Sequence, residues 1–434
     1  MGVRLLFRCT LVKVLLELVL ACIHEQLKFK PVRGALNYTD DRRNALMTPI
    51  RIHFDMRNIQ QSTLPQATQD YITVLISYAK DRLQAILSVQ SVVGNLYVPR
   101  NCSATWIEGP NAGTCSIASA VNQCGEVQSI PREHLGSLKI VNQNGKQMLA
   151  AGAGIPNADL VVYVTSAKGS CDTTTLAYAN PCHLDQMDRP IVGSINFCPG
   201  VIQPSADPAQ VANDKAVALH EMIHVVGFSM TLFSYFRDSA GNPRTPRCPD
   251  AAGCTEADQP GDPPYDTSTD SYVLSDATVA VADRAGAPAR FLATPAVRRV
   301  ARSYFACPTV PCAELENSGN SEATAGSHWE KRAFFTELMT GSTSTAFPEV
   351  LSEFTLALLD DSGWYKVRPR RPAPRRGAPG PPPAGARARC AVCAGRGPGA
   401  GRRRDPLRTC CVCVCVNVCV CVCVRALVRS CMRV

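Results

Sequence analysis

Histidine is scarce in this sequence: seven residues in 434, and only His328 lies beyond position 224. Chemistry that needs several imidazoles therefore has few ways to assemble them. Long apolar runs are missing as well. The one near the N-terminus, residues 14–22, is interrupted by Glu17 and falls well short of the ~20 residues that span a bilayer. No later stretch reads as a transmembrane helix. Acid is almost absent from the last part of the chain: Asp405 is the one acid from Lys366 onward, against 16 of the 45 Lys and Arg residues. The formal charge of +9 thus belongs to the tail, and the residues before Lys366 are acidic by six. A basic stripe for phosphates on the body is not supported, and no nucleic-acid partner is expected.

Cysteine, by contrast, is plentiful at 22 residues. Ten lie in the body (Cys102, Cys115, Cys124, Cys171, Cys182, Cys198, Cys248, Cys254, Cys307, Cys312), two at the start and ten in the tail. An even body count suits a disulfide framework, which needs an oxidising compartment. The sequons Asn37-Tyr38-Thr39 and Asn101-Cys102-Ser103 agree with a secreted route. Residues 1–22, a basic start (Arg4, Arg8, Lys13) followed by the short apolar run, read as a signal peptide. The expected location is secreted or at the cell surface.

Apolar periodicity predicts a strand over 51–56, a long helix over 66–90, buried strands over 158–165 and 190–197, and a helix over 214–230 capped by Asn213 or Asp214. Residues 229–293, rich in Pro, Asp, Gly and Ser, read as a long insertion with little regular structure, and helical spacing returns over 294–305 and 349–360. From about Val367 the composition turns to Pro, Arg, Gly and Ala, which cannot bury a core, so the tail is expected to be disordered. Residues 410–424 alternate Cys and Val, as a translated TG dinucleotide repeat would; a metal-binding cysteine tract is the alternative.

The strongest chemical signal is His220-Glu221-Met222-Ile223-His224. Two histidines four apart lie on one helical face about 5.4 Å apart along the axis, so both imidazoles can reach a single ion. The bland alternative is a helix with two core histidines. Gly227 follows, completing His-Glu-x-x-His-x-x-Gly, and a glycine there is expected to let the chain leave the helix through a left-handed conformation. A rival design takes a downstream Glu as third ligand, but no Glu occurs between Glu221 and Glu256. His328, in Gly326-Ser327-His328-Trp329, is the remaining candidate, shortly before Glu337-Leu338-Met339-Thr340-Gly341, where Met339 would form a Met-turn. His53, His134 and His183 have no motif around them and read as structural; Asp185 and Asp188, flanked by Cys182 and Pro190, read as a stapled loop.

Taken together, HEMIHVVGFS, ATPAVRRVARSYFACP, ELENSG, AGSHWEKRAFFTELMTG and LALLDDSGWYKV, with CGEVQSIP and RIHFDMRNI upstream, make the chain similar to the leishmanolysin family of metzincin peptidases over residues 51–366. The resemblance implies an α+β zincin fold: an N-terminal mixed sheet with the active-site helix (51–228), then an insertion and a mostly irregular and helical C-terminal subdomain (229–366), before the tail (367–434). It implies one zinc ion on His220, His224 and His328, Glu221 as the catalytic base, and hydrolysis of protein or peptide substrates. Cys22-Ile23-His24-Glu25 resembles the family's propeptide motif, so Cys22 is a candidate zinc ligand in a zymogen whose short propeptide would be residues 23–50. The family's Cys-rich C-terminal domain and lipid-anchor signal have no counterpart after Trp364, so no membrane anchor is visible. The competing readings are a non-catalytic adhesion protein that keeps the fold, which an intact Glu221 argues against, and an inactive product of a faulty gene model.

Overall fold

The computed structural model describes residues 32–34, 36 and 47–368, the last range without 107, 251–252, 256–257, 259–260, 270, 285–286, 318–324 and 343–346, together with 411–416 and 418–423. The signal peptide, Cys22, the Asn37 sequon and most of the tail lie outside the described residues.

The body is built on a five-stranded mixed sheet. Its strands are β1 (Val32–Gly34), β2 (Ile52–Asp55), β3 (Leu160–Thr165), β4 (Ala177–Asp185) and β5 (Pro190–Phe197), in the order β1-β4-β5-β3-β2. β2, β3 and β5 are parallel to one another, and β4 runs antiparallel to β5. Every residue of β3 and β5 is buried, which is why neither alternates between an apolar and a polar face, although β5 includes the buried polar residues Ser194 and Asn196. Val161 and Tyr163 of β3 pack with Val92, Leu96, Val98, Ile130 and Ile155 of the long segment that precedes the strand. Helix α1 (Gln66–Ile86) packs against helix α2 (Pro208–Val226), which in turn lies on β4 and β5.

Helix boundaries differ from the sequence reading: α2 ends at Val226 rather than at 230, and the helix read over 349–360 begins at Glu353. α1 stops at Ile86, and Leu87–Gln90 continues as a strand between Met47–Pro49 and Lys366–Val367. α2 starts six residues earlier than position 214. Asp207 caps it, its side chain accepting from Ala209 N at 3.0 Å, and Pro208 sits at the first helical position, where its fixed φ suits the helix and its missing N–H costs nothing. Asn213 and Asp214 are interior residues; Asp214 accepts from Tyr71 OH of α1 at 2.6 Å. The stretch Pro208–Phe233 is also long and apolar enough to cross a bilayer, contrary to the sequence expectation, but 83% of its most apolar window is buried inside the fold, as in the core helix of a globular body.

The interval expected to be irregular holds more structure than composition suggests: a short helix at Met230–Phe233, paired strands Tyr265–Asp266 and Ser271–Tyr272, and the hairpin Val279–Arg284 with Ala287–Leu292, extended by Ala313–Glu314. Helices α3 (Pro295–Tyr304) and α4 (Glu353–Asp361) then pack together. The Asp361 carboxylate accepts from Ala296 N and Val297 N, placing a negative charge at the positive end of α3. A four-stranded sheet made of Cys102–Thr105, Cys115–Ala118, Leu138–Asn142 and Gly145–Leu149 went unread in the sequence, because its strands are short and largely polar.

All ten body cysteines are oxidised: Cys102–Cys115, Cys124–Cys182, Cys171–Cys198 and Cys248–Cys254 pair, and Cys307 and Cys312 are disulfide-bonded as well. Within the tail, where composition predicts no structure, Cys411–Val416 pairs antiparallel with Val418–Cys423, each Cys opposite a Cys.

Strand pairing in the body continues through Val367, and its hydrogen bonds through Arg368. Lys366–Val367 pairs with Leu87 and Ser88, and Arg368 donates from its N to Ile86 O and from its Nε to Ser88 Oγ. A chain truncated after Arg368 is therefore expected to melt within about a degree of the full chain. One truncated after Tyr365 should melt several degrees lower, since these strand bonds are worth about 1 kcal/mol each. Equal melting temperatures for the two truncations, measured calorimetrically, would show that the strand adds nothing.

Candidate metal centre

The last two turns of α2 carry His220, Glu221 and His224, all fully buried. One turn separates the two histidines, and their rings meet edge to face with centroids 4.7 Å apart. His328 arrives from more than a hundred residues downstream, its centroid 5.2 Å from His220 and 4.9 Å from His224. The Nε2 atoms of His220 and His224 are 2.9 Å apart, and those of His220 and His328 3.2 Å. Among the described residues this is the one group in which three or more His, Cys, Asp or Glu ligand atoms lie within 4.8 Å of one another.

The outer nitrogens decide what the inner ones can do. His220 Nδ1 is 2.7 Å from Leu338 O, and His224 Nδ1 is 2.6 Å from Phe228 O. A carbonyl oxygen can only accept, so each Nδ1 carries the hydrogen and, in the neutral ring, Nε2 is left with a lone pair. Lone pairs converging at this distance repel unless a cation lies between them. Tetrahedral zinc, with nitrogen ligands near ~2.0–2.1 Å, sets nitrogens roughly 3.3 Å apart, close to the spacing observed. The donor set therefore fits zinc, with the outer N–H of two of the three histidines fixed by backbone carbonyls, as metal-ligating histidines require.

Gly227 ends α2, but not by the left-handed route. Its φ is 170°, an extended value open to any residue. A Cβ there would lie 2.9 Å from Leu359 Cδ2 of α4, so a side chain would press on a buried neighbour. The glycine whose conformation matters is Gly326, at φ +88°, where a Cβ would also meet Met230 Sδ at 2.5 Å. It sits two residues before His328, and Ser327 Oγ accepts from Met230 N at 3.1 Å, so the segment is fastened to the chain just beyond α2. Sequence reasoning quoted Gly326 without assigning it this work.

Met339 is fully buried in a turn over Glu337–Thr340, with Thr340 N donating to Glu337 O at 3.3 Å. Its neighbour Leu338 supplies the carbonyl that receives His220, and Met339 O accepts from Trp329 N at 2.8 Å, next to His328. The turn thus joins the first and third histidines.

The other histidines are elsewhere. His183 is buried with its Nε2 3.1 Å from Asn101 Oδ1, and burial pushes it down to about 4, so it stays neutral. Burial likewise lowers His134, which contacts Tyr163 OH at 3.0 Å beside the Asp55–Arg57 ion pair. Asp188 sits in the turn after β4 at φ 64° and accepts from Arg237 Nε and Arg247 NH2, which ties the sheet to the segment after α2.

The leishmanolysin family profile matches residues 142–242 and 270–369, which include the helix motif, His328 and Met339. A leishmanolysin-like peptidase of Drosophila pseudoobscura pseudoobscura is 34% identical over 328 residues, covering 71% of this chain and 44% of that protein. One of Caenorhabditis elegans is 33% identical over 327 residues, 73% of this chain and 48% of the relative. A ciliated left-right organizer metallopeptidase of Mus musculus is 32% identical over 302 residues, 66% and 38% respectively. The chain spans less than half the length of these relatives. With the profile matched on both sides of the histidine cluster and a third of the residues identical over most of its length, the chain belongs to the leishmanolysin family of metallopeptidases.

Proposed function

We propose that the protein is a zinc-dependent endopeptidase of metzincin type, in which His220, His224 and His328 hold the metal through Nε2 and Glu221 is the general base. The observation that carries the reading is the convergence of the three Nε2 atoms, two of them turned inward by backbone carbonyls. Zinc in such a site supplies Lewis acidity toward water and toward the scissile carbonyl. Glu221, on the same turn as the two helical histidines, takes a proton on its carboxylate from the attacking water and returns it to the leaving amine. Burial of all four side chains excludes bulk water, which strengthens each electrostatic contact within the site.

The substrate is a protein or peptide in extended form, bound by strand addition to the N-terminal sheet. β4 is the strand suited to it: β4 is antiparallel to β5, among the described residues its outer neighbour β1 pairs only with His183–Asp185, and α2 packs directly on it. The oxidised cysteines agree with a secreted or surface setting. An adhesion protein that merely keeps the fold has no use for a buried Glu beside three inward-facing imidazoles.

The full chain, purified from a secretory host and supplied with zinc, is expected to cleave casein. It should lose that activity to 1,10-phenanthroline and regain it on adding zinc. Casein left intact by zinc-loaded, folded protein would sink the reading.

A further inference from the structure

We propose that Glu337 is the positioning residue of the metal centre, acting on His220 through the peptide group between Leu338 and Met339; the inference rests on the zinc site proposed above. Glu337 is buried, and its carboxylate accepts from Met339 N, from Ser352 N at 3.3 Å and Oγ at 2.9 Å, and from Thr355 Oγ1 at 2.5 Å. Each partner has a hydrogen to give. Ser352 Oγ is already an acceptor for Phe354 N as the cap of α4, and Thr355 Oγ1 is an acceptor for the indole N–H of Trp329, so the hydroxyl hydrogen of each goes to Glu337. Burial and the neighbouring Glu349 carboxyl push the Glu337 pKa up, while the four converging donors pull it down and favour the ionised carboxylate.

Met339 N–H and Leu338 C=O belong to one planar trans peptide, so they point in opposite directions. With its N–H held by Glu337, the same peptide aims its carbonyl at His220 Nδ1, 2.7 Å away. A negative charge at the N–H end polarises the amide and makes its oxygen a stronger acceptor. The result is a carboxylate–peptide–imidazole relay. It does for His220 what a carboxylate bonded directly to a ligating histidine does elsewhere: it fixes the tautomer, locks the ring and raises the basicity of the inner nitrogen. The same carboxylate reaches the third ligand by a second path, because Thr355 also holds Trp329, the residue after His328.

The test is the zinc affinity of the full chain, by competition with a chromophoric chelator, alongside the visible spectrum of the cobalt-substituted protein and the melting temperature of the metal-free form. Glu337→Gln removes the charge at nearly constant volume. It is expected to weaken zinc about 10- to 100-fold, the range for losing an outer partner of a metal ligand, and to shift the cobalt bands. Glu337→Asp keeps the charge at shorter reach and should fall between Gln and wild type. The inference is overturned if Glu337→Gln, or Glu337→Asp should the first not fold, binds zinc as wild type does with an unchanged cobalt spectrum. It is equally overturned if Asp and Gln weaken zinc alike, because the charge then plays no part. Wild-type protein that binds neither metal would instead overturn the zinc-site reading on which the inference stands.

Discussion

Glu221→Gln is expected to reduce kcat on a fluorogenic peptide by about 10²–10⁴-fold, the span that a positioned general base contributes, while zinc content stays at one per chain. In energy this is roughly 3–5 kcal/mol of lost transition-state stabilisation. The substitution is nearly isosteric, so a residue buried within α2 can be replaced without opening a cavity. Zinc is expected to remain because the proposed ligands are the three imidazoles, two of which, His220 and His224, are oriented by Leu338 O and Phe228 O. What the amide loses is the ability to accept a proton from water. Wild-type turnover by a zinc-loaded Glu221→Gln chain would remove Glu221 from the mechanism; loss of zinc in that variant would make it a structural member of the site instead.

Most of this site could be read from the sequence, since its constraints are local or arise from scarcity. The i, i+4 spacing of His220 and His224 is a property of one helix. His328 was identifiable because no other histidine follows position 224, although nothing local in Gly326-Ser327-His328 says that the segment folds back over α2. β3 and β5 were legible because strands buried on both faces are mostly apolar or β-branched. Elsewhere non-local packing decided. The start of α2 was misplaced because apolar periodicity begins late, whereas the cap at Asp207 and Pro208 is a polar signal that precedes it. Gly227 does not take the left-handed conformation its place in the motif suggests, and the neighbour a side chain there would meet, Leu359, is more than a hundred residues away. The grip of Glu337 on Ser352 and Thr355 is equally invisible along the chain, because it depends on where α4 docks. Position along the sequence thus predicts which residues carry the chemistry better than it predicts which residues hold them in place.

His328→Ala should separate metal binding from the remainder of the fold. The imidazole is the one proposed ligand not carried by α2, and the chain around it is fixed by contacts that do not involve the ring. His328 O accepts from Glu316 N at 2.8 Å, Trp329 N donates to Met339 O, and Ser327 Oγ accepts from Met230 N. The metal-free variant is therefore expected to keep its disulfides and a cooperative transition, at a cost of about 1–3 kcal/mol for the cavity left by a buried ring. Zinc affinity should fall by more than the ~10–100-fold that follows from disturbing an outer partner, since a direct bond is removed. Activity should drop to background at micromolar zinc. The contrast with Glu221→Gln is the informative part: one variant keeps its zinc and loses turnover, the other loses both. Chelator competition on the two proteins side by side reads the difference directly. A His328→Ala chain that still holds zinc with wild-type affinity would mean that the third ligand comes from another residue, and that the convergence of His328 on His220 and His224 is packing alone.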